Sequence, residues 1–197
     1  MKSIDSKIIE KIMKTQKGKL IFPEDFQSLG SSEAVRLSLH RLEKNKRITR
    51  IAQGIYVRPQ ISRFIGEVLP SIEEIAKGIA KRDKIRIVPT GVYALNALGL
   101  STQVPMKLVF LTDGAPRTIK IGKQTLKFKK TTPKNLMAKG KISSLAIQAL
   151  REIGKDNVTE EEEQKLIELL KKEKPELLEH DISLAPVWIQ KIMQEAL

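Results

Sequence analysis

The chain has 197 residues, 41% of them hydrophobic and 30% charged, a composition typical of a soluble globular protein with one or two domains. It contains no cysteine, which excludes disulfides and thiolate metal sites, and its two histidines are too few for a histidine metal cage. The net charge of +13 indicates an anionic partner, and nucleic acid is favoured because neutralised phosphates release counterions.

The first sixty residues predict three helices. A helix is expected over residues 3–15, where a serine can cap isoleucines that recur at helical spacing. A short second helix is expected from Pro23 to Gly30, since proline suits a first helical position and two acidic residues follow it. Ser31 or Ser32 then caps a longer helix that runs to about Asn45. This order, with its glycine-containing turn, is typical of a helix-turn-helix.

The third helix carries the side chains suited to reading DNA. Its apolar residues share one side, and its charged residues occupy the rest of the circumference. Arg36 and Arg41 can bind guanine edges through paired hydrogen bonds or can clamp phosphates. The hydroxyls of Ser31 and Ser32, together with the first amides of the helix, can hold a phosphate. A surface helix with scattered charges is the alternative interpretation.

A β-hairpin is predicted directly after this helix. Residues 47–51 alternate polar and apolar side chains, Gln53-Gly54 supplies a turn, and Ile55–Arg58 forms the second strand. Such a wing can contact the flanking backbone or the minor groove. We therefore predict a winged helix-turn-helix DNA-binding domain in residues 1–66. Its expected contact residues are Ser31, Ser32, Arg36, Leu37, His40, Arg41, Lys44, Arg50, Gln53 and Arg58.

Residues 67–197 predict an α+β domain with a small antiparallel sheet and several helices. Strands are expected at residues 86–89, 107–112, 117–121 and 124–130, the last two joined by a tight turn at Gly122-Lys123. Helices with capping boxes begin at Ser71 and Thr159, and a last helix begins near Pro186. Residues 60–70 are expected to be a connector.

The outer face of the predicted 117–130 hairpin is rich in lysine. The basic patch comprises Lys120, Lys127, Lys129, Lys130 and Lys134. It can meet a nucleic acid or an acidic protein. The lysines can equally protect a strand edge from aggregation, and both interpretations stay open at this point.

Sequence motifs for catalysis are absent. The chain has no glycine-rich phosphate loop and no nucleophile elbow. The acidic run Glu160–Glu163 looks like a metal site, but negative charge is also favoured at a helix N-terminus. We therefore expect no enzymatic activity, no cofactor and no metal.

The positive charge is unevenly distributed along the chain. Residues 1–66 carry a net charge of +8, residues 67–155 carry +11, and residues 156–197 carry −6. The N-terminus shows no apolar signal core, and no run approaches the ~18 apolar residues of a membrane span. A cytoplasmic protein without a membrane partner is expected.

Several stretches resemble a bacterial family. Residues 34–42, 48–51 and 54–57, with the sequences AVRLSLHRL, ITRI and GIYV, look like the N-terminal winged helix of AbiEi-type antitoxins. A related group of uncharacterised bacterial winged-helix proteins is resembled by residues 89–96, 98–102, 111–114 and 117–121. Together these stretches extend the resemblance over most of the chain.

The resemblance implies an antitoxin of a type IV toxin–antitoxin system. The family's winged helix represses its own operon by binding repeated operator DNA. Its C-terminal domain counters a toxin that resembles nucleotidyltransferases, without a stable complex. By residue match, Arg36, His40, Arg41 and Arg50 take the DNA-contact role. Leu37 departs from the polar base reader expected at its position, and it either contacts a thymine methyl or is buried.

Two other functions remain open on the sequence. One is an RNA-binding protein that uses the basic residues between Lys120 and Lys141. The other is a protein-interaction module that docks a partner through its acidic C-terminal helices or Trp188.

Overall fold

The computed structural model describes residues 3–197, so the first two residues of the expected first domain lie outside it. The chain is α+β and divides into two compact units. The first unit comprises the chain up to residue 79 together with residues 120–122, and the second comprises residues 80–119 and 123–197. No helix within residues 3–197 is both long and apolar enough to cross a lipid bilayer.

The first unit begins with helices and ends in short hairpins. Its first elements are α1 (Ile4–Met13), β1 (Leu20–Ile21), a 3₁₀ helix (Pro23–Leu29), α2 (Ser32–Lys44), β2 (Thr49–Ala52) and β3 (Ile55–Val57). The three strands form an antiparallel sheet in the order β1-β3-β2. The segment from Pro23 is a helix, as expected, but it is wound as a tighter 3₁₀ helix.

Serine hydroxyls begin both α-helices, as the sequence predicts. The Ser3 hydroxyl accepts a hydrogen bond from the Ser6 amide at 3.2 Å, and the Ser31 hydroxyl accepts one from Ala34 at 3.3 Å. Ser31, rather than Ser32, is therefore the N-cap of α2.

One apolar cluster joins these elements. It is formed by Ile8, Ile12, Ile21, Phe26, Val35, Leu39, Leu42, Ile48 and Tyr56. Because α1, the 3₁₀ helix and α2 each contribute one face, none of them buries its apolar stripe without the others. Tyr56 packs in this core, as its place in an alternating strand predicts.

Residues 60–70 are more ordered than a connector. They contain a second hairpin, made of β4 (Gln60–Ser62) and β5 (Gly66–Val68), with Ile61 opposite Glu67. Each strand is only three residues long, which is too short for the sequence pattern to reveal it. Phe64 in the connecting turn is 96% exposed.

Helix α3 (Ile72–Asp83) follows and has the predicted capping box. The Ser71 amide donates to Glu74 at 2.7 Å, and the Glu74 amide donates to the Ser71 hydroxyl at 3.2 Å. The helix passes very close to β1, since a Cβ atom at Gly78 would lie 2.5 Å from Cδ1 of Leu20. Glycine in the middle of this helix therefore has a packing reason.

The second unit combines one sheet with a helical core. Its elements are β6 (Ile87–Thr90), α4 (Val92–Ala97), β7 (Lys107–Thr112), β8 (Arg117–Ile121), β9 (Gln124–Lys130), a 3₁₀ helix (Pro133–Leu136), α5 (Lys141–Ile153), a 3₁₀ helix (Lys155–Asn157), α6 (Glu160–Leu170), α7 (Pro175–Ile182) and α8 (Val187–Gln194). The strand order is β6-β7-β9-β8.

This sheet is only partly antiparallel. The expectation of a small antiparallel sheet in this part of the chain holds for the β6–β7 pair. Both sheets of the first unit are antiparallel as well. In contrast, β7 and β9 run parallel, with Phe110 opposite Phe128. After β7 the chain crosses to the outer edge of the sheet and forms β8. It then turns back into β9, which lies between β7 and β8. Because the direction reverses twice, β9 runs parallel to β7.

Helix α5 lies at the centre of the helical core. Its buried residues Ala146, Ala149 and Leu150 belong to the main apolar cluster of this unit, to which α4, α6, α7 and α8 also contribute. Trp188, the one tryptophan in the chain, packs against this cluster and is partly buried.

A buried carboxylate from α7 binds the chain just before α5. The helix amides themselves use another acid: the N-cap Gly140 has no side chain, and the Ile142 and Ser143 amides donate to Glu173 at 2.7 and 3.4 Å. Asp181 accepts from the two amides that precede the helix. The amides of Lys139 and Gly140, at 2.9 and 2.8 Å, and the Ser143 hydroxyl, at 2.5 Å, donate to Asp181. Nδ1 of His180 lies 2.7 Å from the same carboxylate. Burial opposes ionisation, but these hydrogen bonds outweigh it and lower the pKa of Asp181.

Replacing Asp181 should weaken the second unit in a pH-dependent way. Because its pKa is lower folded than unfolded, its contribution is complete above the unfolded value of about 3.9 and is lost as pH falls through the folded value. Asp181→Asn should reduce the free energy of unfolding at pH 7 by about 1–3 kcal/mol. Urea unfolding followed by Trp188 fluorescence measures this change. Asp156→Asn, at an exposed position, is the control, and an equal loss in both variants contradicts the role of Asp181 in binding the chain before α5.

Candidate nucleic-acid interface

One side of α2 is exposed to solvent and carries half of the predicted DNA-contact residues. The exposed residues recur every three or four positions and therefore form one stripe along the helix. The stripe comprises Glu33, Arg36, Leu37, His40, Arg41 and Lys44. It lies opposite the buried side of the helix, which holds Val35, Leu39 and Leu42. Burial of that side in the core of the first unit holds the cationic side toward solvent.

Leu37 is exposed, which decides between the two environments that the sequence leaves open. It is 49% accessible and lies among the cations of the stripe, one helical turn before Arg41. An exposed leucine at this place is available for an apolar contact, such as a thymine methyl in the major groove.

The cations of the stripe differ in their partners. Nη1 of Arg41 lies 3.3 Å from Oδ2 of Asp5, and Nδ1 of His40 lies 3.6 Å from Oε2 of Glu43. Both contacts are solvent-exposed, and such pairs contribute little to stability, so they are readily exchanged for a phosphate. Within residues 3–197, Arg36 and Lys44 have no carboxylate at ion-pair distance.

The N-terminal end of α2 offers hydroxyls beside the first helical amides. Ser31 uses its oxygen as an acceptor in the N-cap, which leaves its O–H group able to donate. Ser32 is exposed. Two hydroxyl donors therefore lie near the positive end of the helix dipole, where an anion is favoured.

The β2–β3 hairpin places two more of the predicted residues at the surface. Arg50 lies on β2 opposite Tyr56, and Gln53 lies in the turn; both are exposed. The turn needs Gly54 because its φ of 69° lies in the left-handed region, and no atom lies within 4 Å of a Cβ placed there. The tip of this hairpin is thus open within its own unit.

Arg58 lies elsewhere and has a different role. Its Nη1 atom donates to the backbone carbonyl of Met13 at 2.8 Å and to that of Thr15 at 3.0 Å. These carbonyls lie at the C-terminal end of α1, where a cation is favoured. Arg58 therefore fastens the end of β3 to α1. In the sequence, a basic residue beside a predicted wing strand looks like a DNA contact. The two hydrogen bonds from Arg58 to α1 carbonyls could therefore not be predicted from the sequence.

The second basic patch lies mainly on β9 and the segment after it. Lys129, Lys130 and Lys134 are exposed, Lys127 is partly exposed, and Lys120 is exposed on β8. Lys127 and Lys129 lie opposite Val109 and Leu111, on the sheet face that alternates with the buried Leu126 and Phe128. Since β9 has neighbours on both sides, edge protection explains Lys120 on the outer strand but not Lys127 or Lys129.

Two acidic side chains that the sequence singles out, Asp113 and Glu162, make local structural contacts. Asp113 accepts hydrogen bonds from Nε and from the backbone amide of Arg86, at 2.9 and 2.8 Å, and the Arg86 hydrogen bonds lower the pKa of Asp113. Thr159 and Glu162 form the expected capping box at the start of α6. Residues 3–197 contain no group of three or more histidine, aspartate or glutamate side chains placed to hold a metal ion.

Comparison with known proteins places the chain in a family. Residues 7–178 match the model of a family of unknown function, DUF6088. The chain belongs to DUF6088. No curated protein has a significantly similar sequence. Among solved structures, the chain is similar to the RV2827C protein from Mycobacterium tuberculosis, with 10% identity, 99% of this chain and 82% of that chain covered, and a TM-score of 0.48.

The contrast between Arg58 and Arg50 of this DUF6088 protein is testable. Arg58→Ala should destabilise the α1 region by about 1–3 kcal/mol, because two backbone carbonyls lose a charged donor. Hydrogen exchange of amides in residues 4–15, measured by mass spectrometry, should become faster. Arg50→Ala removes an exposed arginine from the same hairpin and should leave this exchange unchanged. Similar exchange in both variants means that Arg58 does not fasten β3 to α1.

Proposed function

We propose that this DUF6088 protein is a cytoplasmic, non-enzymatic DNA-binding protein whose first unit acts as a winged helix-turn-helix. The observation that carries the proposal is the exposed stripe of α2. It presents three permanent cations and one accessible leucine on a single face, and a hairpin with an exposed arginine follows it. A helix in the major groove needs this combination of donors and apolar contact.

The proposed binding mode assigns a separate task to each part of the surface. Helix α2 has 13 residues and is therefore about 20 Å long, which suits insertion into the major groove. Arg36 and Arg41 read guanines or clamp phosphates, and Leu37 contacts a thymine methyl. The N-terminal end of α2 holds a backbone phosphate. Arg50 and Gln53 in the hairpin contact the flanking backbone or the minor groove.

For the biological role we propose an antitoxin that represses its own operon. The resemblance of residues 34–57 in the first unit to AbiEi-type antitoxins supports this role, and the second unit resembles a related group of uncharacterised bacterial proteins. Operator repeats are then the DNA target. The second unit counters a nucleotidyltransferase-like toxin without forming a stable complex with it.

The direct test is an electrophoretic mobility shift with the DNA upstream of the protein's own gene. Arg36→Ala should lose about 1–3 kcal/mol of specific binding if Arg36 makes paired hydrogen bonds to a base. Non-specific binding should fall much less, since only one of several cations is removed. The ratio of specific to non-specific affinity is measured at one fixed salt concentration.

Lys7→Ala is the matched control for this shift experiment. Lys7 is an exposed cation on α1, and its position two residues after Asp5 places it on a different side of that helix from the Arg41 contact. Equal losses for Lys7→Ala and Arg36→Ala contradict the assignment of α2 as the reading helix. A greater loss for Lys127→Gln than for Arg36→Ala, with RNA preferred over DNA, favours the basic patch as the binding site instead.

The antitoxin role predicts that repression of the operon and protection of cells from the toxin can be separated by mutation. Arg36→Ala should relieve repression of a reporter placed behind the operator, because the contact lies in the first unit. The same variant should still restore growth to cells that express the toxin encoded beside it. Wild-type protein and Lys7→Ala serve as controls in both assays. Failure of the wild-type protein to protect these cells rejects the antitoxin role but leaves the DNA-binding proposal standing.

A further inference from the structure

A small surface pocket in the second unit has the polarity of an anion site. It lies between α5 and the Pro133–Leu136 3₁₀ helix, and it has an empty volume of about 240 Å³, part of which is open to solvent. Its polar lining comes from Lys134, Asn135, Ser144, Gln148 and Arg151, and the three other lining residues are apolar. Ser144, Gln148 and Arg151 lie four and three positions apart, so one side of α5 contributes all three.

The pocket contains two cations and no acid. Lys134 and Arg151 lie at its exposed rim, and neither has a carboxylate at ion-pair distance within residues 3–197. The surrounding protein removes water from the guanidinium and lowers the pKa of Arg151, although an arginine stays charged at neutral pH. Two cations close together without a carboxylate beside them favour the binding of an anion.

Asn135 holds the Arg151 guanidinium in place. Its side-chain oxygen accepts a hydrogen bond from Nη1 of Arg151 at 2.8 Å. Its side-chain nitrogen donates to the Thr131 hydroxyl at 2.8 Å, so the amide itself has a fixed orientation. The remaining guanidinium donors are left for a ligand.

Gln148 presents its side-chain amide to the pocket. The residue is only 5% exposed, and no hydrogen bond of its side-chain amide is found within residues 3–197. The amide atoms are not among the fully enclosed polar atoms that lack a partner, so solvent reaches them through the pocket. A ligand oxygen at this place can accept a hydrogen bond from the Gln148 amide.

We propose that this pocket binds the terminal phosphate of a small phosphomonoester. A terminal phosphate carries a charge of about −1.5 to −2 at neutral pH, which matches the two rim cations. Its three oxygens can accept from Arg151, Lys134, Gln148 and the Ser144 hydroxyl, whereas a carboxylate presents only two oxygens. The pocket is shallow and open to solvent, so it binds the phosphate at its surface and leaves the rest of the ligand in solvent.

Calorimetric titration of the full chain tests this site, which is independent of the proposed DNA surface. Inorganic phosphate and adenosine monophosphate are the two probes, and both should bind. Arg151→Gln should weaken both about tenfold, since it removes a charged donor with forked geometry. Gln148→Leu should weaken both by a smaller factor while keeping the side-chain size. Thermal unfolding followed by Trp188 fluorescence confirms that the variants are folded, and Lys134→Gln at the exposed rim replaces Gln148→Leu if that variant unfolds.

The control is Lys172→Gln, which removes an exposed cation outside the pocket and should change the affinity less than about twofold. Equal weakening by Lys172→Gln means general charge attraction and overturns the proposal. Absence of binding by the wild-type chain up to ~10 mM of either probe overturns it as well. A short single-stranded RNA without terminal phosphates is the last arm. If Arg151→Gln weakens this RNA more than it weakens adenosine monophosphate, the pocket recognises a nucleic-acid backbone and the proposal is wrong.

Discussion

The two-sided character of α2 is the constraint on which the first unit depends. Val35, Leu39 and Leu42 are buried in the cluster shared with α1 and β3, so the helix cannot rotate without exposing them. Fixing the apolar side also fixes the opposite side. Arg36, Leu37 and Arg41 are therefore held toward solvent by residues that never touch a ligand, and the candidate surface is a consequence of core packing.

The same packing separates cations that look equivalent in the sequence. Arg50 and Arg58 both lie in or beside the hairpin and both are basic residues in β-rich stretches. Arg50 is exposed, whereas Arg58 is bound to two carbonyls at the end of α1. The difference arises because α1 ends beside the last strand of the hairpin, and its carbonyls lack partners within the helix. One arginine is thus part of the scaffold and the other remains available for a ligand.

In the second unit, three parts of helix α5 make different contacts. At its N-terminal end, Glu173 accepts from the first helical amides and Asp181 accepts from the two amides before the helix. Its buried side fills the helical core, and a third side lines the pocket with Ser144, Gln148 and Arg151. The N-cap Gly140 has no side chain, so the carboxylate that accepts from the helix amides comes from elsewhere in the chain. Because Asp181 and the core residues hold α5 from two directions, the pocket side chains are carried by a fixed element.

The sequence by itself determined the local elements. Serine and threonine caps, glycine turns and alternating strands predicted α2, the β2–β3 hairpin, β7, β8 and β9 within a few residues, because these signals act over one or two turns of chain. It also determined that one side of α2 is cationic. Only the tertiary structure decided that Leu37 is exposed, that Arg58 is internal and that β9 runs parallel to β7. These three features depend on contacts between residues far apart in the chain. The pocket beside α5 also depends on such a contact, the hydrogen bond between Arg151 and Asn135.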